Sequence, residues 1–186
     1  GLAAVVLFQF NHEWRGFWWT DEARHAMDGV FFRDFFFDLP FTDIRGYLED
    51  YFARFPALGF TWYLPFFAVV DSLLFMVFGV TLTAAKLNML LWYVAAALLT
   101  FHYAQRHIGA AAGIAATLLL ISNPEVLQWG RSIMLEIPAL AMMMLFLIAS
   151  EKYLDTPSWG RSVAVGIIAF CMLMTKQTVI FMLGVV

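Results

Sequence analysis

The chain has 186 residues, of which 62% are apolar, 18% aromatic and 13% charged, with a net charge of −3. Soluble domains run at roughly 45–50% apolar and 25% charged, and no water-soluble fold of this length could hide so much apolar surface. A bilayer can, because lipid solvates the outer faces of membrane helices; the single Cys171 excludes a disulfide framework and a cysteine metal site.

Residues 1–10 form an apolar run of half a span, since about 20 residues are needed to cross. The last residues also lie inside an apolar run, and there is no initiator Met or signal-peptide pattern. These features lead us to expect an N-terminal part of a longer protein.

Residues 11–60 hold nine of the 14 acids and read as two amphipathic helices. The first starts at Thr20-Asp-Glu, an N-cap followed by acids that suit the helix dipole. Asp21, Arg24, His25 and Asp28 recur on one face, read as solvated. Met27, Val30, Phe31 and Phe35 form the other. The second helix follows Thr42-Asp43, carries the stripe Ile44, Leu48, Tyr51, Phe52 and Phe55, and stops at Pro56. Helices with an aromatic and a charged face lie at a membrane surface; stacking on a soluble domain is the alternative.

Residues 62–80 are long enough to cross but contain Pro65 and Asp71. If they cross, Arg106 and the Lys152/Arg161 loop fall outside; if they lie in the interface, both loops fall inside, as the positive-inside rule prefers. An interfacial or re-entrant segment is therefore expected. Four later stretches approach spanning length: 87–104, 109–127, 132–149 and 163–185. The expected organisation is the end of a first span over 1–10, an external loop with juxtamembrane helices over 11–83, and four further spans over 84–186. Gly29 and Ser132 should face outward, His107 and Ser158 inward.

That topology gathers Asp21, Glu22, Arg131, Glu136 and Lys176 on one side of the membrane. A carboxylate there can take a proton from an acceptor hydroxyl or hold a divalent metal, with Asp21, His25 and Glu136 as candidate ligands. Arg131 and Lys176 can bind a phosphate or pyrophosphate leaving group, and lipid-facing helices can hold an isoprenoid tail. Together these parts suit transfer from a lipid-phosphate donor. Each has a plainer explanation as well. Asp21 and Glu22 suit any helix start, Arg131 and Glu136 can simply bound two spans, and Lys176 can snorkel to the headgroups. His25 and Asp21 can belong to a solvated face rather than a metal pair. Asp71 has no explanation at this level.

Five segments in order carry a resemblance: Trp19-Thr-Asp-Glu-Ala-Arg-His25, Tyr51-Phe-Ala-Arg-Phe-Pro-Ala-Leu-Gly59, Val77-Phe-Gly-Val-Thr81 with Ala84-Ala-Lys86, Arg131-Ser-Ile-Met-Leu-Glu-Ile-Pro138, and Met174-Thr-Lys-Gln177. The order resembles the N-terminal part of the GT-C superfamily of integral-membrane glycosyltransferases, within the dolichyl-phosphate-mannose protein mannosyltransferase-like group that includes the lipid A aminoarabinose transferases. The resemblance implies an all-α polytopic transmembrane bundle with interfacial helices in the first external loop. It implies a polyprenyl-phosphate-linked hexose or pentose as donor, no nucleotide sugar, and inversion at the anomeric carbon. It makes Asp21 the base or acceptor-orienting residue, with Glu22 beside it as a further catalytic carboxylate. It aligns Glu136 with the second-loop acid and Lys176 with the late-fifth-span lysine, and carries Arg54 toward the donor phosphate. The acceptor would be a protein, lipid or glycan. The site would face outward from a bacterial or archaeal plasma membrane. Membrane lipids are expected partners and nucleic acid is not; a divalent metal is a possible cofactor. The alternative is a transporter or channel subunit, which would place polar groups in broken helices near mid-bilayer.

Overall fold

The computed structural model describes residues 16–17, 19–59 and 63–184, and every regular element among them is helical. The half span expected over 1–10 lies outside the described residues. Helix α1 (Thr20–Asp38) begins one residue earlier in its cap than expected, because Trp19 and not Thr20 holds the N-cap position. The Glu22 carboxylate reaches back to accept the Trp19 N–H at 3.0 Å. The helix ends at Leu39, whose left-handed backbone (φ 46°) lets its N–H donate to the Phe35 carbonyl at 3.0 Å. Helix α2 (Ile44–Arg54) starts as expected, with the Asp43 side chain accepting from the Gly46 N–H. It folds back on α1: the Tyr51 hydroxyl donates to Asp34 and the Tyr47 hydroxyl to Asp38, each at 2.9 Å. Phe31 sits between them, edge-on to Tyr51.

Helix α3 (Phe66–Phe78) follows Pro65 and stops at Gly79, whose φ of 77° suits glycine. It packs along α1 at Gly29. A Cβ there would stand 2.8 Å from an Asp71 oxygen, so the two helices can come this close only at a glycine. Its 13 residues rise about 20 Å, short of the ~30 Å hydrocarbon core.

Helix α4 (Leu82–His107) is started by Thr81, which accepts the Ala84 N–H. A turn at Gly109 leads to α5 (Ala110–Ser122) and then α6 (Pro124–Arg131). The span expected over 109–127 is bent by 64° between these two. Pro124 has no N–H to continue the ladder, and Asn123 spends its side chain on the Glu125 and Val126 N–H groups. The carbonyl of Ile121, left over by the break, accepts the Tyr93 hydroxyl of α4 at 2.9 Å. Residues 132–135 lead into α7 (Glu136–Asp155), and α8 (Trp159–Thr175) follows, capped by Ser158. The run expected as one span over 163–185 is not one helix: α8 ends at Thr175, and a 3-10 helix (Gln177–Gly184) continues it.

Helices α4 and α7 form the centre, with α5 and α6 against α4 and α8 against α7. Among the described residues two helices, α4 and α7, are long and apolar enough to cross a membrane, with the bent α5–α6 pair a third if it is one broken span; α8 is a shorter apolar helix. Between helices in lipid, close packing rather than the hydrophobic effect drives association. The buried small residues Ala84, Ala85 and Ala96 of α4 and Ala139 and Ala141 of α7 allow such packing. Apolar side chains such as Leu118, Leu119, Ile167 and Phe170 point away from the bundle, as lipid-facing positions require. The chain is an all-α polytopic membrane bundle.

The bundle has two distinct ends. At one, Arg106 pairs with Asp155, and His107 with Glu151 at 3.0 Å, so the α4–α5 and α7–α8 turns meet. At the other lie the start of α1, residues 132–135 and the break after α8. Tyr63, ahead of α3, meets Asp21 and His25 at this second end, and Thr81, after α3, starts α4.

Candidate functional site

Helix α8 stops because Lys176 takes an extended backbone (φ −154°, ψ 122°), although its N–H still donates to the Met172 carbonyl. The break lets the side chain leave the helix and reach the first residue of α7. Lys176 Nζ donates to Glu136 Oε1 at 2.7 Å, across 40 residues of sequence. Both side chains are about 30% exposed. Glu136 Oε2 is buried and has no hydrogen-bond partner among the described residues.

The neighbouring acids of α1 part ways. Glu22 is 2% exposed. Its oxygens accept the N–H groups of Trp19 at 3.0 Å and Ile133 at 3.1 Å, which ties the start of α1 to the segment before α7. Buried Lys86 of α4 lies within its electrostatic reach. Asp21, one residue earlier and so about 100° around the helix, is 34% exposed. It meets Arg24 and the Tyr63 hydroxyl, each at 3.4 Å. Glu22 is thus a strut, whereas Asp21 keeps a third of its side chain exposed.

His25 corrects the expected solvated face. It is buried, edge-on to Tyr63 with ring centroids 4.6 Å apart. Burial above all lowers its pKa to about 4; Lys176 and Arg24 push the same way, and Asp21 and Glu136 oppose. The imidazole is therefore neutral near pH 7. The same electrostatic set places Asp21, His25, Glu136 and Lys176 in one neighbourhood. Asp28, on the same face, is also buried, and accepts the Gly59 N–H at 2.8 Å. The His25 and Asp28 positions of the face meet other chain segments, whereas Asp21 and Arg24 keep contact with water.

Tyr63 was not legible as a site residue, since no spacing singles out one aromatic ahead of a proline. Burial and the Asp21 carboxylate push its hydroxyl pKa up, so it stays a hydrogen-bond donor. Asp71 now has a place: it is fully buried, with Oδ1 accepting from the Asn88 amide of α4 at 3.2 Å, and joins α3 to α4 behind the site.

The expected phosphate-binding arginines stand apart. Arg131 is exposed at the end of α6 and makes no ion pair among the described residues; its charge acts on Tyr93. Arg54 is exposed at the end of α2, and its charge acts on Tyr47. No group of three or more His, Cys, Asp or Glu among the described residues is arranged to hold a metal ion. Asp21, His25 and Glu136 are neighbours without forming a ligand set, and Glu136 already serves Lys176.

A protein-family model described as dolichyl-phosphate-mannose-protein mannosyltransferase matches residues 64–185. No curated protein and no solved structure matches the chain significantly. The matched span takes in Glu136 and Lys176, while Asp21, Glu22, His25 and Tyr63 precede it. It covers most of the chain and agrees with a helical membrane bundle, so the chain belongs to the dolichyl-phosphate-mannose-protein mannosyltransferase family and has a glycosyltransferase-type function.

Proposed function

We propose that this chain forms the donor end of a transferase that moves a sugar from a polyprenyl phosphate to a hydroxyl or amide acceptor at the external membrane face. The observation that carries this reading is the Lys176–Glu136 contact. It sets an ammonium at a helix break, in the same electrostatic neighbourhood around His25 as the partly exposed carboxylate of Asp21. Lys176 holds the phosphate of the donor, and its charge stabilises that phosphate as it leaves. The acceptor heteroatom bonds to the anomeric carbon while the sugar–phosphate bond breaks. Asp21 orients the acceptor and takes its proton, and the electron pair departs on the polyprenyl phosphate.

In this scheme Tyr63 holds one Asp21 oxygen, Glu22 fixes the start of α1 against residues 132–135, and neutral His25 fills the space between without adding charge. Helices α1 to α3 lie in the outer interface, and the Arg106–Asp155 end faces the cytoplasm of a bacterial or archaeal cell. Arg131 and Arg54 are accessory phosphate contacts that act only if the donor bridges to them. No step is routed through a metal.

The test is donor binding and transfer by the full-length protein in lipid nanodiscs. Lys176→Met keeps the apolar stem and removes the charge. It should weaken binding of a polyprenyl phosphate and slow transfer with insertion unchanged, and Lys176→Arg should recover part of both. Unchanged affinity and turnover in Lys176→Met would remove Lys176 from the site and return it to a snorkelling role.

A further inference from the structure

The phosphate site just proposed contains its own anion. Among the described residues, the Lys176 ammonium is already engaged by Glu136 at 2.7 Å. On the assumption that Lys176 receives the donor phosphate, we propose that Glu136 is the resident counter-ion of Lys176 and is displaced from it when that phosphate binds.

Three observations carry this. Each side chain of the pair keeps about 30% of its surface exposed, so the Lys176 side can be reached from outside. The second Glu136 oxygen is buried with no partner among the described residues. A carboxylate held by one bond on one oxygen, with the other desolvated and unpaired, is poorly satisfied where it stands. Glu136 is also the first residue of α7, where the exposed N–H end of the helix favours a negative charge after release.

The surrounding charges define what exchange must do. Asp21, Arg24, Glu136 and Lys176 all act on the buried ring of His25, which is itself uncharged near neutral pH. An arriving phosphate next to Glu136 would put two anions on one ammonium. Moving Glu136 aside relieves that repulsion. When no donor is bound, the same carboxylate keeps a lysine at the membrane from standing unpaired, which is costly. Glu136 is then a positioning residue that sets donor affinity, and it neither receives the acceptor proton nor binds a metal.

Binding of a polyprenyl phosphate to the full-length protein in nanodiscs tests this, together with KM and kcat for transfer. If the resting pair leaves Lys176 available about a tenth of the time, Glu136→Gln should tighten binding about tenfold, because apparent affinity scales with the competent fraction. KM for the donor should fall with it, and the gain should vanish in the Glu136→Gln/Lys176→Met double variant. Glu136→Asp, which keeps the charge but shortens the reach, should give a smaller gain and serves if the glutamine variant fails to insert. Unchanged or weaker binding in the glutamine variant, or in the aspartate variant where that one stands in, with Lys176→Met still impaired, overturns the exchange and leaves the phosphate site standing. Unimpaired binding in Lys176→Met overturns the phosphate site itself.

Discussion

The two ends of the bundle spend their charges differently. Where α4 meets α5 and α7 meets α8, exposed Arg106 and His107 pair with exposed Asp155 and partly exposed Glu151, and Arg161 donates to the carbonyls of Lys152 in the last turn of α7 and of Thr156 just beyond it. At the other end Glu22, His25, Asp28 and Lys86 are buried, and Asp21, Glu136 and Lys176 are half-buried. Exposed ion pairs are worth roughly 0–1 kcal/mol. Withdrawn charges must be desolvated and then held by partners, which folding alone gives little reason to do. The first end is a tidy rim, whereas the second holds a carboxylate oxygen unpaired among the described residues and a neutral imidazole, the kind of arrangement that concentrates at functional sites.

The comparison breaks most completely if the ends do not lie on opposite sides of the membrane. Gly29 and Ser132 are unsuitable reporters, because both are buried. Exposed Asp50 and Glu125 can replace them, with His107 and Pro157 at the other end. Single cysteines at these positions, in a Cys171→Ala background, should react with an impermeant thiol reagent from outside only at 50 and 125. Labelling of His107→Cys from outside would mean that the two ends share one side or that the orientation is reversed.

Asp21→Asn should have the next largest effect, lowering turnover about 10²-fold or more with donor binding near normal. Near-normal turnover would reduce Asp21 to a residue that merely suits the helix start. Glu22→Gln, by contrast, should act through stability, because its oxygens serve backbone N–H groups.

His25 gives a pH signature confined to this end. Its folded pKa is about 4, below the ordinary 6.5, so the folded state binds fewer protons than the unfolded one. Its contribution is intact above pH 6.5 and is lost as pH falls from there through 4. The loss should be roughly 2–4 kcal/mol, read from thermal midpoints of the native protein minus those of His25→Gln across pH 4–8. A pH-independent difference would mean that water reaches the ring.

The smallest effect belongs to the rim. Arg106→Ala should cost less than about 1 kcal/mol and leave transfer unchanged. A large loss of activity there would show that the two ends are coupled.

Much of the fold was legible locally. The apolar stretches, the Asp43 cap and the stop before Pro56 depend on neighbours within a turn, where propensity and missing N–H groups decide, whereas the bend at Asn123-Pro124 interrupts a stretch that reads as one span. At that bend the Asn123 side chain is consumed in capping α6. The site was legible only as a set of candidates on one side. Residue spacing assigned Asp21 and Glu22 alike, because adjacent acids suit a helix start equally.

What the sequence determined by itself was a bundle that must live in lipid, since 62% apolar residues cannot be covered otherwise, together with the resemblance its motif order carries. Only the tertiary structure decided which acid was buried. Residues 132–135 come from more than a hundred positions away to present the Ile133 N–H to Glu22, and no local pattern encodes that approach. The same holds for His25 and Asp28, polar residues that look solvated until α3 and Gly59 pack on them. It holds most for Lys176 and Glu136. Each reads alone as a charge at the edge of a span, and their bond exists because α8 breaks at the level where α7 begins. Local sequence determines where a helix can start and stop, but which charges meet depends on how separate helices register, and that is set by packing along their whole length.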